Sequence, residues 1–208
     1  MAAITAQMVK DLREATGAGP LDCKKALEMH EGDVKKATAW LREKGLARAA
    51  KKLGAGRSMN EGVIQTYAHF NKRVGVLVEV NCETDFVANT DRFKEFANNV
   101  ALQIANMAPQ YVKREDVPAD EVQAERDIQK RRALDEGKPE KVAEKMVEGR
   151  MNKFFEEVVL MEQPFIKDDS KTIAQLLAEV VADVGESIEI RRFARFALGE
   201  NTNGTEAQ

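Results

Sequence analysis

Two cysteines and two histidines are the residues with which this 208-residue chain could grip a soft metal or pair a nucleophile with a base. Cys23 and Cys82 stand far apart, without a CxxC pair or a neighbouring histidine, and His30 and His69 are isolated. Zinc needs several soft ligands converging, usually from closely spaced pairs, and a general base needs a nucleophile or a metal within reach. Neither pattern is present, and no Walker loop offers a phosphate cradle. Cys23 falls on an apolar helical position and Cys82 at a strand's end, where a thiol reads as a small buried hydrophobe. We assign no catalytic residue, cofactor or metal ligand, and expect a non-enzymatic protein.

The other segment with chemical character is Thr84-Asp85-Phe86-Val87, which joins a strand to a helix. A phenylalanine one turn ahead of an amphipathic helix is either a core plug or an exposed wedge. Asp85 either caps the first turn of that helix or faces a partner. The local pattern alone favours the core plug for Phe86 and the cap for Asp85.

These residues need a scaffold, and the periodicity supplies one. Thr5 is placed to cap a first helix carrying Met8, Leu12 and Ala15, which Gly17 to Gly19 stop. Pro20 suits the first turn of a second helix, faced by Cys23, Ala26 and Leu27. Asp33 caps a third, with Val34, Ala37, Thr38 and Leu41 at helical spacing, and Gly45 ends the bundle. Residues 46–62 start helical and basic and then take a linker's composition. From Arg73 to Val80 the period changes to two, with valines 74, 76, 78 and 80 on one face. Val63 to Phe70 pairs with this strand through Asn71-Lys72, Asn71 taking the positive φ of a hairpin turn. A helix from Asp91 to Ala108 covers the hairpin with Phe93, Phe96, Ala97, Val100, Ile104 and Ala108. Two charged helices span 119–136 and 139–160, read as a solvated hairpin or a dimer seam. Ser170 begins another amphipathic helix, which Gly185 ends. A last strand runs from Ile188 to Leu198, with a bulge near Arg191-Arg192.

The expected fold class is therefore α+β. A three-helix module (1–45) and a linker (46–62) precede a core of antiparallel sheet covered by helices (63–199), and a mobile tail (200–208) follows. A net charge of -3 gives no basic excess to hold phosphate backbones or anionic lipid, so a protein partner is expected rather than nucleic acid or membrane. The N-terminus alternates apolar and charged residues, unlike a signal peptide, and no stretch reaches membrane-spanning length. A reduced, cytoplasmic setting follows.

Three stretches carry a family resemblance. Leu12-Arg-Glu-Ala-Thr-Gly-Ala-Gly19 with Asp22-Cys-Lys-Lys-Ala-Leu27, then RVGVLVEVNCETDFV from Arg73 to Val87, then EGRMNKFFEEVVLMEQPFIKDDSKT, resemble elongation factor Ts in its order and spacing. The resemblance implies a guanine nucleotide exchange factor for the GTPase elongation factor Tu. It implies that the three-helix module, itself similar to ubiquitin-associated domains, docks on the GTPase through Leu12, Arg13, Gly19, Pro20 and Leu21. Thr84, Asp85, Phe86 and Val87 would enter the switch region and dislodge the Mg²⁺ that helps hold GDP. Phe86 is then the wedge, Asp85 the residue that positions the loop and engages the partner, and Thr84 and Val87 its shoulders. Pro20-Leu21 stands where the family usually has two methionines. The chain resembles the short form, without a second core repeat, which implies a homodimer. With no cysteine after Cys82, a dimer through the C-terminal half has no disulfide. Two other classes compete: an adaptor that captures a peptide on the three-helix module, and an RNA binder using Lys44 to Arg57 as a basic arm.

Overall fold

The computed structural model describes residues 4–53, 58–137 and 139–200. Three helices come first, α1 (Ala6–Thr16), α2 (Pro20–Met29) and α3 (Val34–Leu53). The Thr5 hydroxyl caps α1 by accepting the Met8 amide, and Gly17 closes it at φ 66°, where a Cβ would be strained. Pro20 opens α2, and the Asp33 carboxylate accepts the Lys36 amide at 3.0 Å to start α3. Leu12, Cys23, Ala26, Leu27, Ala37 and Leu41 meet at the centre of this bundle. Three of the expected inward positions face out. Ala15, Val34 and Thr38 are exposed, and on α3 the stripe is carried by Ala37, Trp40 and Leu41, because the indole, a far larger apolar surface, takes the inward edge.

After a hairpin of β1 (Glu61–Ala68) and β2 (Val74–Cys82) come a single helical turn, α4 (Asp85–Ala88), and the long helix α5 (Asp91–Met107). Helices α6 (Ala119–Asp135) and α7 (Glu140–Val158) pack together. A small hairpin of β3 (Pro164–Phe165) and β4 (Asp168–Thr172), helix α8 (Ile173–Val184) and strand β5 (Ile188–Ala197) complete the order. The main sheet is antiparallel, β1-β2-β5, with β2 in the middle. Val76, Val78 and Val80 of β2 are buried as expected, under Phe93, Phe96, Val100 and Ile104 of α5 and Ile173, Leu177 and Val180 of α8. Glu79 faces Arg192 and Val80 faces Ile190, so Arg191 is the extra residue of the expected bulge.

Several local expectations give way. The connection between β1 and β2 is longer than two residues, and the positive φ falls on Lys72 at 56°, not on Asn71. The Asn71 side chain instead accepts the Arg73 amide at 3.0 Å, and the Lys72 amide closes the turn on the His69 carbonyl at 2.7 Å. Ala108 ends α5 at φ 47° and is exposed, because it is the helix cap rather than part of its buried face. Ser170 lies in β4, bonded to Asp168, while α8 starts one turn later on a reciprocal cap between Thr172 and Gln175. Gly45 lies inside α3 instead of ending it. There α3 crosses α8 so closely that a Cβ on Gly45 would stand 3.3 Å from that of Ala182. Residues 54–57 of the expected linker and 201–208 of the expected tail lie outside the described residues.

A buried polar pair joins the second half of the chain to the first. Gln103 of α5 donates to the Gln163 side chain (3.1 Å) and to the Pro164 carbonyl (3.0 Å), and accepts the Ile166 amide (2.9 Å). Gln163 in turn donates to the Glu157 carbonyl at 3.0 Å. Each amide is satisfied without water, so the pair fixes the small hairpin against α5. Helices α6 and α7 are laced by Arg126 to Glu148 and Arg150 to Glu136 across a small apolar cluster that includes Val117, Val147, Met151 and Phe155.

Gly62 shows how tightly β1 is fitted. It sits at φ 147°, and a Cβ would fall on the Val80 carbonyl oxygen of β2. Gly62→Ala is expected to destabilise the fold by about 2–4 kcal/mol, read as a lower midpoint in urea unfolding. An unchanged midpoint would show that this edge can shift to admit a methyl group.

Candidate functional site

Strand β2 delivers its last residue, Cys82, into the core with no exposed surface. Its thiol donates to the Thr84 carbonyl at 3.1 Å. Burial pushes this thiol above its ordinary pKa, the bond to Thr84 opposing and the nearby Glu186 charge adding to the rise. Thr84 then turns the chain into α4. Its hydroxyl accepts the Val87 amide at 3.4 Å as the cap, and its carbonyl accepts the Ala88 amide at 3.2 Å.

One turn of helix sorts the next four residues. Val87 and Ala88 point inward and are buried, while Asp85 and Phe86 point out. Phe86 is 86% exposed, so the reading of it as a core plug is discarded. Asp85 is the first residue of α4 and not its cap, which is Thr84. Its carboxylate has no hydrogen bond or ion pair among the described residues, although its position in the first turn suits a negative charge. Asn89 braces the far end of the turn by donating its side-chain amide to the Asp85 carbonyl at 2.9 Å.

The loop is tied to the α8–β5 connection by two glutamates that the sequence reading missed. Glu186 accepts the Thr84 amide at 3.1 Å and its hydroxyl at 2.9 and 3.1 Å. Glu83 accepts the Ser187 amide at 2.9 Å. Arg92, at the start of α5, donates to Asp183 of α8 at 2.9 Å.

The second group of expected site residues lies on the N-terminal module. Arg13, Gly19, Pro20 and Leu21 are exposed, Leu21 at 83%. Leu12 is 1% exposed at the centre of the bundle, so it supports the helices rather than offering a surface. A cleft of about 590 Å³ is lined by Gly19 and Asp22 of this module and by Arg92, Asp183 and Gly185 of the core. Ion pairs cross and edge it. Glu179 of α8 receives both Arg42 of α3 and Lys171 of β4. Burial alone would raise the Glu179 carboxyl, but these two cations outweigh it and hold the group below its ordinary pKa. Lys44 binds Asp22 at 2.6 Å and lies over the Trp40 ring, so it is engaged within the fold rather than free as part of a basic arm. Arg57 of that arm lies outside the described residues. Among the described residues, no group of three or more His, Cys, Asp or Glu is placed to hold a metal ion, and no helix is long and apolar enough to cross a membrane.

Comparison with known proteins decides the family. The family model described as Elongation factor TS matches residues 2–200. The chain belongs to the elongation factor Ts family. Among its relatives, the elongation factor Ts of Carboxydothermus hydrogenoformans is 60% identical over 197 residues, covering 95% of this chain and 90% of its own. That of Desulforamulus reducens is 56% identical over 200 residues, covering 96% and 91%. That of Solidesulfovibrio magneticus is 56% identical over 201 residues, covering 97% and 100%. Membership places this elongation factor Ts relative among the translation elongation factors, and the resemblance seen in the sequence is borne out.

The buried Cys82 thiol reports on whether this corner of the fold stays closed. In the native protein at pH 8 it should react with iodoacetamide about a hundredfold more slowly than an exposed cysteine, and at the ordinary rate in urea. Peptide mass spectrometry separates it from Cys23. Rapid native labelling would mean that the loop after β2 opens readily.

Proposed function

We propose that this protein is a guanine nucleotide exchange factor for elongation factor Tu that performs no covalent chemistry and acts in the cytoplasm. The observation that carries the proposal is Phe86, an exposed aromatic ring on a helical turn whose neighbours Val87 and Ala88 are buried. An exposed ring costs solubility and contributes nothing to this core, so a partner that covers it supplies the reason for its position.

The mechanism follows from what such a ring can do beside a nucleotide. Mg²⁺ links phosphate oxygens to GTPase side chains and demands near-octahedral oxygen coordination. A phenyl group offers no ligand, and its bulk displaces the groups that complete the shell. With the ion gone, the diphosphate loses a large favourable charge interaction. Asp85 stands beside Phe86 with a carboxylate that has no partner among the described residues, suited to a donor on elongation factor Tu. By linkage, the factor promotes release only if it binds the empty GTPase more tightly than the GDP form, and incoming GTP then ejects it. Residues 1–45 act as the ubiquitin-associated-like docking module through Arg13, Gly19, Pro20 and Leu21, and 63–199 act as the core. A peptide-binding adaptor remains the competing class.

Stopped-flow release of a fluorescent GDP analogue from elongation factor Tu tests the reading. The parent should accelerate release, and folded Phe86→Ala should lose about tenfold or more of that acceleration. No acceleration by the parent at saturation rejects the exchange reading and favours the adaptor, and an equally fast variant removes Phe86 from the mechanism.

A second copy of the chain is the partner we propose for the outer face of the main sheet. Ile64 of β1, Leu77 of β2 and Phe196 of β5 are exposed there, and Leu198 follows at the strand's end. The register sets Leu77 between Ala194 and Thr66 and places Ile64 and Phe196 one step diagonally to either side of it, so the exposed apolar side chains run as an oblique strip across the three strands. A twofold partner would cover the strip with its own. Sedimentation at tens of micromolar, about the range in which a stable interface is filled, should give a dimer for the parent and a monomer for Phe196→Glu. A monomeric parent would reject the interface.

A further inference from the structure

The loop that carries Phe86 is held by a reciprocal clasp. Glu83 precedes the loop and accepts the Ser187 amide at 2.9 Å; Glu186 precedes Ser187 and accepts the Thr84 amide and hydroxyl at 2.9–3.1 Å. Each side therefore supplies one carboxylate and receives one backbone amide. Bonds to a charged acceptor are the strong members of their class, and here they bridge residues 102 and 104 apart in sequence. The clasp leaves Thr84 fully committed. Its N–H and O–H point to Glu186, its hydroxyl oxygen takes the Val87 amide, and its carbonyl takes the Ala88 amide and the Cys82 thiol.

A helix of four residues has no cooperative stability of its own, because its nucleus is costly and too few bonds follow. Its direction must be imposed from outside. Val87 and Ala88 anchor the inner side, but two small side chains leave the turn free to roll about its axis. The Thr84–Glu186 bonds act at the cap, two residues before Phe86, and so fix the direction in which the turn starts. Gly185, which ends α8 at φ 78°, turns the chain so that Glu186 arrives at this point.

We propose that Glu186, paired with Glu83, is a positioning residue that aims Phe86, and that the clasp sets the maximal rate of nucleotide release without contributing to docking. The proposal rests on the exchange reading above. Glu186 touches neither the partner nor the nucleotide; it acts through Thr84.

Two readouts separate aim from bulk stability. In titrations of elongation factor Tu loaded with a fluorescent GDP analogue, Glu186→Ala should lower the release rate at saturation about tenfold, the size expected for losing charge-assisted bonds. The concentration for half-maximal effect should change by less than about twofold. Glu186→Gln, which keeps one acceptor oxygen, should fall between the two, and Phe86→Ala added to Glu186→Ala should cause little further loss. Hydrogen exchange on the free protein gives the second readout. In Glu186→Ala the Ala88 and Asn89 amides should exchange faster, while those of β2 and α8 keep their protection. An unchanged saturating rate and unchanged exchange at Ala88 and Asn89 overturn the proposal. So does a loss of rate accompanied by lost protection throughout β2, which would make Glu186 merely structural. If the parent itself fails to accelerate release, the exchange reading falls, and faster exchange confined to Ala88 and Asn89 would then establish the clasp without its function.

Discussion

The whole arrangement depends on one buried strand. Strand β2 is hydrogen-bonded along both edges, to β1 and to β5, and its valine face lies under α5 and α8. Each large apolar side chain removed from water there contributes about 1.5–3 kcal/mol, and a slip of one residue would send every valine to the wrong face. Register is therefore strongly held. Because Cys82 is the last residue of that strand, the position of Thr84 two residues later inherits the same precision. The exposed ring at Phe86 is a short step from a strand paired along both edges.

The alternation from Val74 to Val80 and the helical stripes of α5 and α8 were legible because burial alone dictates them. Family resemblance was legible for a different reason: three separated stretches kept their order and spacing, which no single motif could establish. Where the reading missed, two local solutions competed and tertiary contacts chose. Asn71 could take the positive φ or bind the Arg73 amide, and it did the latter, passing the strained conformation to Lys72. Ser170 and Thr172 are both helix starters; the deciding signal was in the sequence, since only Thr172 has Gln175 three residues on to complete a reciprocal cap.

Other features were invisible in one dimension. A glycine at position 45 reads as a stop, and only the presence of Ala182 against it reveals a helix crossing. Glu83 and Glu186 look like ordinary surface acids until the fold brings their loops together. Phe86 is harder still, because its exposure is decided by the direction of a single turn. A rotation of that turn would exchange it with Val87, and no periodicity in four residues can say which occurs. Leu12 differs: the helical period already points it into the bundle while the family motif points it at a partner, and it lies in the core.

The continuity of α3 gives the molecule a property that neither end has alone. This helix of 20 residues, about 30 Å long at the usual rise, begins in the three-helix bundle and runs past Gly45 to cross α8. It joins the surface around Leu21 to the body that carries Phe86 without a break in the helical backbone. On the proposed exchange reading, two footholds joined by a stiff strut would act as one bidentate grip, the second binding at a high effective concentration once the first is seated. On that reading the same stiffness would also narrow the choice of partner. A protein presenting both complementary surfaces at another separation could hold only one of them, so span becomes a criterion of recognition alongside chemistry.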